Sequence, residues 1–263
     1  MRFDMNWLRA AFLVVSVTPL LACADADQNT TAPLPAKEQP VEVAQAVANP
    51  SAPPPAAKPS PTAPRKFEES VHYVELFDPV PTSVPAGKIE VVEMFWYSCP
   101  HCYQMEPELN KWKHSLAKDV ELVQIPGVFK DQSGRPNPHW ALHARAFYAL
   151  EALGKVGQVH DKVFAAIHEQ GRRLNSIDAL ARFVASQGVD EQKFREAMSS
   201  LAVDTKTRHA IKLTEKYGLT GVPALIVAGR YRVLNKAITG YDEMFQIVDF
   251  LVEKERLRLK KGS

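Results

Sequence analysis

The chain has 263 residues, of which 46% are hydrophobic, 24% charged and 9% aromatic, and this composition is ordinary for a globular protein. Its formal net charge of +2 at pH 7 gives no reason to expect a nucleic-acid partner. The 20 prolines are many for this length, and their placement is informative.

The first 22 residues have the pattern of an export signal. Arg2 and Arg9 give a weakly positive start, and an apolar run follows over residues 10–21. That run is about a dozen residues long, whereas a membrane-spanning helix needs ~20. An uncleaved anchor is the alternative, but the length favours a signal peptide over residues 1–22.

Cys23 directly follows this segment. The stretch Leu20-Leu21-Ala22-Cys23 is similar to a bacterial lipobox, in which the cysteine thiol accepts a diacylglycerol group and begins the mature chain. Cleavage after Ala26 is the alternative, because residues 24–26 form an A-x-A site, and it would release a soluble protein without Cys23. We favour lipidation of Cys23, since a cysteine at this position is otherwise hard to explain. The mature protein is then expected in the periplasm, held at a membrane by its lipid.

Residues 23–66 are rich in proline and alanine and contain ten of the prolines. Such a segment buries too little apolar surface to offset the entropy cost of ordering it. We therefore predict a disordered tether between the lipid and a folded domain over residues 67–263.

The folded domain begins with a pattern typical of a β-α-β unit. Residues 71–77 fit an edge strand, and residues 88–95 are apolar and β-branched enough for a central strand. A helix is predicted from Pro100 to about Leu116, because proline suits the first helical turn. Residues 119–125 then supply the next strand.

A helical pattern follows from His139 to about Tyr217, and we place a helical insertion at about residues 138–200. The later elements are a hairpin and a closing helix. The predicted ranges are helices at 177–186, 189–199 and 203–217, strands at 224–227 and 231–234 around a turn at 228–230, and a helix at 241–257. The fold class is therefore α/β, with a helical insertion between the βαβ half and the C-terminal hairpin and helix.

Cys99 and Cys102 form a C-x-x-C pair at the end of a strand and the start of a helix. Unpaired N–H groups and the positive end of the helix dipole stabilise a thiolate there, and His101 adds a donor. A thiolate stabilised in this way favours the dithiol form, which makes the disulfide a strong oxidant. The Pro100-His101 pair is therefore expected to direct the couple towards giving its disulfide away.

Metal binding and an inert disulfide are the alternatives for this pair. Zinc needs about four ligands, and the chain has no second C-x-x-C. His139 and His143 have the spacing of one helix face, but no glutamate follows His139, so we interpret them as surface histidines. A copper-handling chaperone would use Cys99, Cys102 and Met105 as soft ligands, although Met105 is more simply explained by packing. We predict no metal site.

Two motifs carry a resemblance to a known family. The stretch E-M-F-W-Y-S-C-P-H-C, from Glu93 to Cys102, resembles the active site of the DsbA family of periplasmic disulfide oxidases. Gly221-Val222-Pro223-Ala224 resembles that family's cis-proline loop. The predicted elements follow the family's thioredoxin-like fold over nearly all of residues 67–257.

The resemblance implies roles for individual residues. Cys99 would be the exposed nucleophile and Cys102 its buried partner. Glu93 matches an acidic residue beneath the family's active site, where it would help to move protons at Cys102; an outward-facing strand residue is the alternative. Pro223 would be cis, although trans is the default by frequency, and Val222 would then pair with a bound peptide through its backbone.

The resemblance also implies the reaction. The protein would be a thiol–disulfide oxidoreductase that donates the Cys99–Cys102 disulfide to exported proteins during folding. A quinone-linked membrane protein of the DsbB kind would reoxidise it, no soluble cofactor would be needed, and we expect a monomer. An isomerase or reductase of the same fold is the alternative, but periplasmic isomerases usually carry a dimerisation domain where this chain has a tether. The lipobox departs from the family's usual soluble members.

Overall fold

The computed structural model describes residues 67–262 of the chain. The predictions of a signal peptide over residues 1–22, of a lipidated Cys23 and of a tether over residues 23–66 lie outside the described residues. Within the part that is described, no helix combines the length and the apolar character needed to cross a membrane.

A mixed five-stranded sheet forms the centre of the domain. Its strands are β1 (Tyr73–Glu75), β2 (Ile89–Phe95), β3 (Val120–Pro126), β4 (Ala224–Val227) and β5 (Tyr231–Val233), in the order β1-β5-β4-β2-β3. Strand β2 runs parallel to β3 and antiparallel to β4, and all of its residues are buried. Because β2 has neighbours on both edges and layers on both faces, its C-terminal end is a rigid support for the chain after Phe95.

One face of the sheet is covered by α1 (Pro100–His114) and α7 (Tyr241–Gly262). Their apolar side chains pack with Ile89, Val91 and the alternate residues of β4. Trp112 joins the two helices, since its ring stacks on Phe245 at 5.2 Å and its Nε1 donates to Asp249 at 2.9 Å. Helix α1 therefore has its C-terminal half anchored while its first turn reaches the end of β2.

Five helices are inserted between β3 and β4, and they form a second apolar cluster with Val92, Met94 and Ile226 of the sheet. These are α2 (Pro138–Ala152), α3 (Val156–His168), α4 (Ile177–Ser186), α5 (Glu191–Ser199) and α6 (Leu201–Lys216). The insertion starts at the predicted residue but extends past residue 200, because α6 packs on α2 and buries Val203, Ala210 and Leu213. Side-chain caps at Ser176, Asp190 and Ser200 separate the last three helices.

The hairpin between β4 and β5 is fixed by a close backbone contact. Ala228 and Gly229 both have positive φ, at 52° and 59°, as a tight hairpin turn requires. Val80 donates its N–H to the Gly229 carbonyl at 2.8 Å, and a Cβ at position 229 would lie 1.9 Å from the Val80 oxygen. Glycine is therefore required here by space as well as by conformation. The α/β class with a helical insertion, predicted from the sequence, is confirmed.

Candidate active site

Cys99 and Cys102 lie where β2 gives way to α1. Cys99 is the residue that caps the helix, with extended backbone angles, and its sulfur accepts from the Cys102 N–H at 3.4 Å. Pro100 opens the helix, where no backbone donor is lost. Both cysteines are free thiols in this structure. The two sulfurs are thus presented from one helical turn, one at its cap and one inside it.

The surroundings of Cys99 favour its thiolate. Its pKa is lowered to about 6, first by a hydrogen bond from the Cys102 thiol and then by the backbone N–H groups of Cys102 and His101. The charge of His101 adds to this, while partial burial of the sulfur opposes it. Cys99 therefore has an ionised sulfur at neutral pH, which a thiol of ordinary pKa does not have.

Cys102 has the opposite character. It is fully buried, and this burial raises the pKa of its thiol far above the usual range. The hydrogen bond to Cys99 and the nearby charges of Cys99 and Glu93 raise it further. The proton of the pair consequently stays on Cys102 while the negative charge is on Cys99.

Glu93 lies in the middle of β2 and is fully buried. Strand alternation places it on the same face as Val91, towards α1, so the alternative of an outward-facing residue does not hold. One carboxyl oxygen accepts from Gln124 Nε2 at 2.8 Å, and the other has no partner among the described residues. Burial and the charge of Glu106 raise the pKa of this carboxyl well above its usual range. Glu93 is therefore a buried carboxyl that resists ionisation and whose charge, when it forms, acts on Cys102.

A buried polar network around Glu93 was missed by the sequence analysis. His160 Nε2 lies 3.3 Å from Gln124 Nε2 and 3.2 Å from Glu106 Oε1, and its Nδ1 lies 3.0 Å from the Tyr97 hydroxyl. Glu106 follows Cys102 by four residues, so helix periodicity alone could have indicated it. No sequence signal points to His160, because it comes from α3 in the insertion.

The residues that lie close enough together to bind a metal ion are not the ones considered from the sequence. Ligand atoms of Glu106, His160 and Asp161 lie within 4.8 Å of one another, and this is the one such group of three that the described residues contain. It includes neither cysteine. Met105, considered as a soft ligand, is fully buried in the cluster shared with α7, as simple packing predicts.

The interpretation of His139 and His143 as surface histidines is wrong for one of them. His139 is exposed, but His143 is buried, with Nε2 3.0 Å from the Leu174 carbonyl. Burial lowers the pKa of His143 to about 4. The spacing placed both residues on α2, but only the packing of α2 in the insertion decides which of them faces inward.

The loop before β4 completes the site. The Val222–Pro223 peptide bond is cis, and the Cys99 sulfur lies 3.4 Å from the Val222 carbonyl oxygen, to which it donates when it is a protonated thiol. Asn235 Nδ2 donates to the Pro223 carbonyl at 3.0 Å, and the Tyr241 hydroxyl donates to the His101 carbonyl at 2.9 Å. The structure thus brings together the two motifs that carry the family resemblance, although they lie more than a hundred residues apart.

A C-x-x-C pair at a helix start, facing a cis-proline loop on a mixed sheet, defines a thiol–disulfide oxidoreductase with a thioredoxin-like fold. A family model described as "DSBA-like thioredoxin domain" matches residues 90–252. The chain is 42% identical over 189 residues to the thiol:disulfide interchange protein DsbA of Pseudomonas aeruginosa, which covers 72% of this chain and 86% of that protein. It is also 42% identical over 197 residues to DsbA of Pseudomonas syringae pv. tomato, covering 75% and 88%.

Solved structures agree with this. The crystal structure of Pseudomonas aeruginosa DsbA is similar with a TM-score of 0.68 and 40% identity, covering 74% of this chain and 97% of that one. The oxidoreductase DsbA from Xylella fastidiosa gives 0.64 and 35%, covering 71% and 96%. The chain belongs to the DSBA-like thioredoxin-domain family. The predictions of a thioredoxin-like fold and of a thiol–disulfide oxidoreductase are both confirmed.

Proposed function

We propose that the protein oxidises pairs of thiols in exported proteins as they fold, by giving away its Cys99–Cys102 disulfide. The observation that carries this proposal is the asymmetry of the pair: the pKa of Cys99 is lowered to about 6, while burial keeps Cys102 protonated. A stabilised thiolate lowers the free energy of the dithiol form, so the disulfide has a strong tendency to accept electrons.

The reaction begins when a substrate thiolate attacks the sulfur of Cys99 in the oxidised protein. The bond between the two sulfurs breaks, and its electron pair goes to Cys102, which takes a proton. A second substrate thiolate then attacks the substrate sulfur of the mixed disulfide and releases Cys99 as a thiolate. Two substrate thiols become a disulfide, and the protein's disulfide becomes the dithiol. The Pro100-His101 pair stabilises the Cys99 thiolate and therefore favours its release in this last step.

Glu93 is suited to supply the proton that Cys102 takes. It is a buried carboxyl with a raised pKa, and its ionised form raises the pKa of the Cys102 thiol. A carboxyl with a raised pKa holds its proton at a higher pH than an ordinary one, and it can give that proton to a newly formed thiolate and regain it later. Glu93 therefore acts on the buried sulfur, whereas His101 acts on the nucleophile.

The loop at Val222 and Pro223 is suited to hold the substrate chain. The Val222 carbonyl is within hydrogen-bond distance of the Cys99 sulfur, at 3.4 Å, so a peptide paired with this backbone would carry its cysteine next to the nucleophile. Backbone pairing of this kind is independent of the substrate's side chains. It suits an enzyme that acts on many sequences.

The cellular setting of the proposal comes from the sequence. The export signal over residues 1–22 and the lipobox at Cys23 support a periplasmic protein anchored to a membrane by lipid. Each turnover leaves the dithiol form, so a membrane partner of the DsbB kind, linked to quinone, would regenerate the disulfide. The protein's own disulfide accepts the electrons of the substrate thiols, so no soluble cofactor takes part. One chain contains the whole site, which fits a monomer.

The redox equilibrium of the purified protein with glutathione tests the direction of the reaction. We expect the couple to be more oxidising than glutathione. A couple as reducing as thioredoxin would overturn the oxidase proposal in favour of a reductase, and scrambled-disulfide repair without net oxidation would favour an isomerase.

Cysteine variants test the assigned roles. Cys102→Ser is expected to accumulate mixed disulfides with exported proteins, because the sulfur that reverses the first step is gone. Cys99→Ser, its matched control, is expected to trap nothing and to lose turnover. Trapping by the Cys99→Ser protein would reverse the two roles.

Labelling with radioactive palmitate tests whether Cys23 carries a lipid, with Cys23→Ser as the control.

A further inference from the structure

Gly127 lies directly after β3 and contacts the loop that faces the redox pair. Its backbone N–H donates to the Phe95 carbonyl at 2.8 Å, which extends the pairing of β2 and β3 by one residue. Phe95 is the last residue of β2, four positions before Cys99. Gly127 is thus fixed to the same strand that carries the active site.

The absence of a side chain at Gly127 is explained by its neighbour. A Cβ at this position would lie 3.1 Å from Val222 Cγ1, closer than side chains normally approach. The backbone does not require glycine, since Gly127 is not among the glycines with positive φ. The space of its missing side chain is therefore occupied by Val222.

Neither Gly127 nor Val222 can move away from this contact easily. The N–H of Val128 donates to Thr214 Oγ1 of α6 at 3.1 Å, so the chain after Gly127 is held in the core. On the other side, Asn235 holds the Pro223 carbonyl, and Ala224 pairs with Met94. A β-branched side chain such as Val222 also has few rotamers available to it.

We infer that Gly127 is a positioning residue, which sets how closely the Val222 carbonyl approaches the sulfur of Cys99. This inference rests on the proposed function. The contacts form a continuous path: Gly127 admits the Val222 side chain, and the Val222 carbonyl oxygen lies 3.4 Å from the Cys99 sulfur. A methyl group at position 127 would displace Val222 by a few tenths of an ångström and so change the position of the backbone with which the substrate chain would pair.

Gly127→Ala tests this inference through the rate at which the oxidised protein oxidises a reduced dithiol peptide. We expect that rate to fall about tenfold, because small displacements at a reacting centre are costly. The same substitution in a Val222→Ala background should lower the rate less than about twofold relative to Val222→Ala alone, since Cγ1 is then absent. Equal losses in the two backgrounds, or no loss in either, would overturn the inference.

A second measurement does not depend on the direction of the redox reaction. Only the protonated thiol of Cys99 can donate to the Val222 carbonyl, so a change in their separation changes the balance between thiol and thiolate. Ultraviolet titration of the thiolate in Gly127→Ala should therefore give a midpoint that differs from that of the parent protein, and an unchanged midpoint would contradict the inference. Failure of the parent protein to oxidise the peptide would contradict the proposed function but leave this shift as a test of the geometry.

Two controls separate positioning from stability. Gly157 in α3 has ordinary φ and nothing within 4 Å of a Cβ, so Gly157→Ala should leave both measurements unchanged. If Gly127→Ala alone does not fold, the double variant with Val222→Ala decides: a folded and active double variant identifies Val222 as the obstacle. An unfolded double variant would overturn the inference.

Discussion

Glu93 on β2 and Glu106 on α1 are two buried carboxyl groups whose charges repel each other, and each has one oxygen without a partner among the described residues. Like charges in a buried site cannot both ionise readily, so the charge of Glu106 adds to the burial that raises the pKa of Glu93. Glu106 takes no direct part in disulfide exchange, but its charge affects Glu93, the carboxyl that we propose as the proton donor to Cys102.

Glu93→Gln is expected to change the pH dependence of stability. A carboxyl with a raised pKa contributes stability that is fully present below its unfolded pKa and is lost as pH rises through the folded pKa, so the parent protein should lose stability as pH rises above 4.5. The amide cannot ionise, and the variant should be more stable than its parent there by about 1–3 kcal/mol. Denaturant unfolding at acidic and alkaline pH measures this, with Glu121→Gln, an exposed residue of β3, as the control.

The same variant should slow oxidation of a dithiol peptide by roughly tenfold or more, because a positioned acid is lost. Stability that changes as expected while the rate stays constant would show that Glu93 has no role in proton transfer to Cys102.

The reduced protein is expected to titrate near neutrality. The thiolate of Cys99 should appear in the ultraviolet with a midpoint of about pH 6. A lowered pKa contributes stability above the unfolded value and loses it as pH falls through the folded value. The stability of the reduced form relative to the oxidised form should therefore rise from about pH 6 to pH 9.0. A difference that stays flat over this range would contradict the lowered pKa.

The causes of the lowered pKa can be ranked by substitution. Cys102→Ala removes the largest one, the hydrogen bond from the Cys102 thiol, whereas His101→Leu removes only a charge and keeps its backbone N–H. We expect His101→Leu to raise the Cys99 midpoint by less than about one pH unit, and Cys102→Ala to raise it more. His139→Leu, exposed on α2, is the control. A larger effect at His101 would reverse the ranking.

Gly229 should be intolerant of any side chain. A Cβ there would meet the Val80 carbonyl at 1.9 Å, in addition to the strain of φ at +59°. Gly171 has a similar φ of +63° but nothing within 4 Å, so Gly171→Ala measures the strain alone, about 1 kcal/mol. Gly229→Ala should cost at least ~2 kcal/mol more than that in denaturant unfolding. Equal costs would mean that the Val80 segment moves aside freely.

The sequence by itself determined the features that depend on neighbours along the chain. Cys99, Pro100 and Cys102 adjoin a strand and begin a helix, and a helix start stabilises a thiolate through its own N–H groups. Helices such as α4 and strands such as β4 were predicted with the bounds they have, because caps, turns and periodicity are local signals. Export and lipidation at Cys23 remain predictions of the same kind.

Only the tertiary structure decided the contacts between distant segments. The Tyr97 hydroxyl meets His160 across 63 residues, and Cys99 meets Val222 across 123, and packing of the helical insertion and the sheet determines both pairs. The inward face of His143 and the contact of Gly127 with Val222 have the same origin. A pattern along the chain states which residues share a face, but the partner of that face depends on how the layers pack.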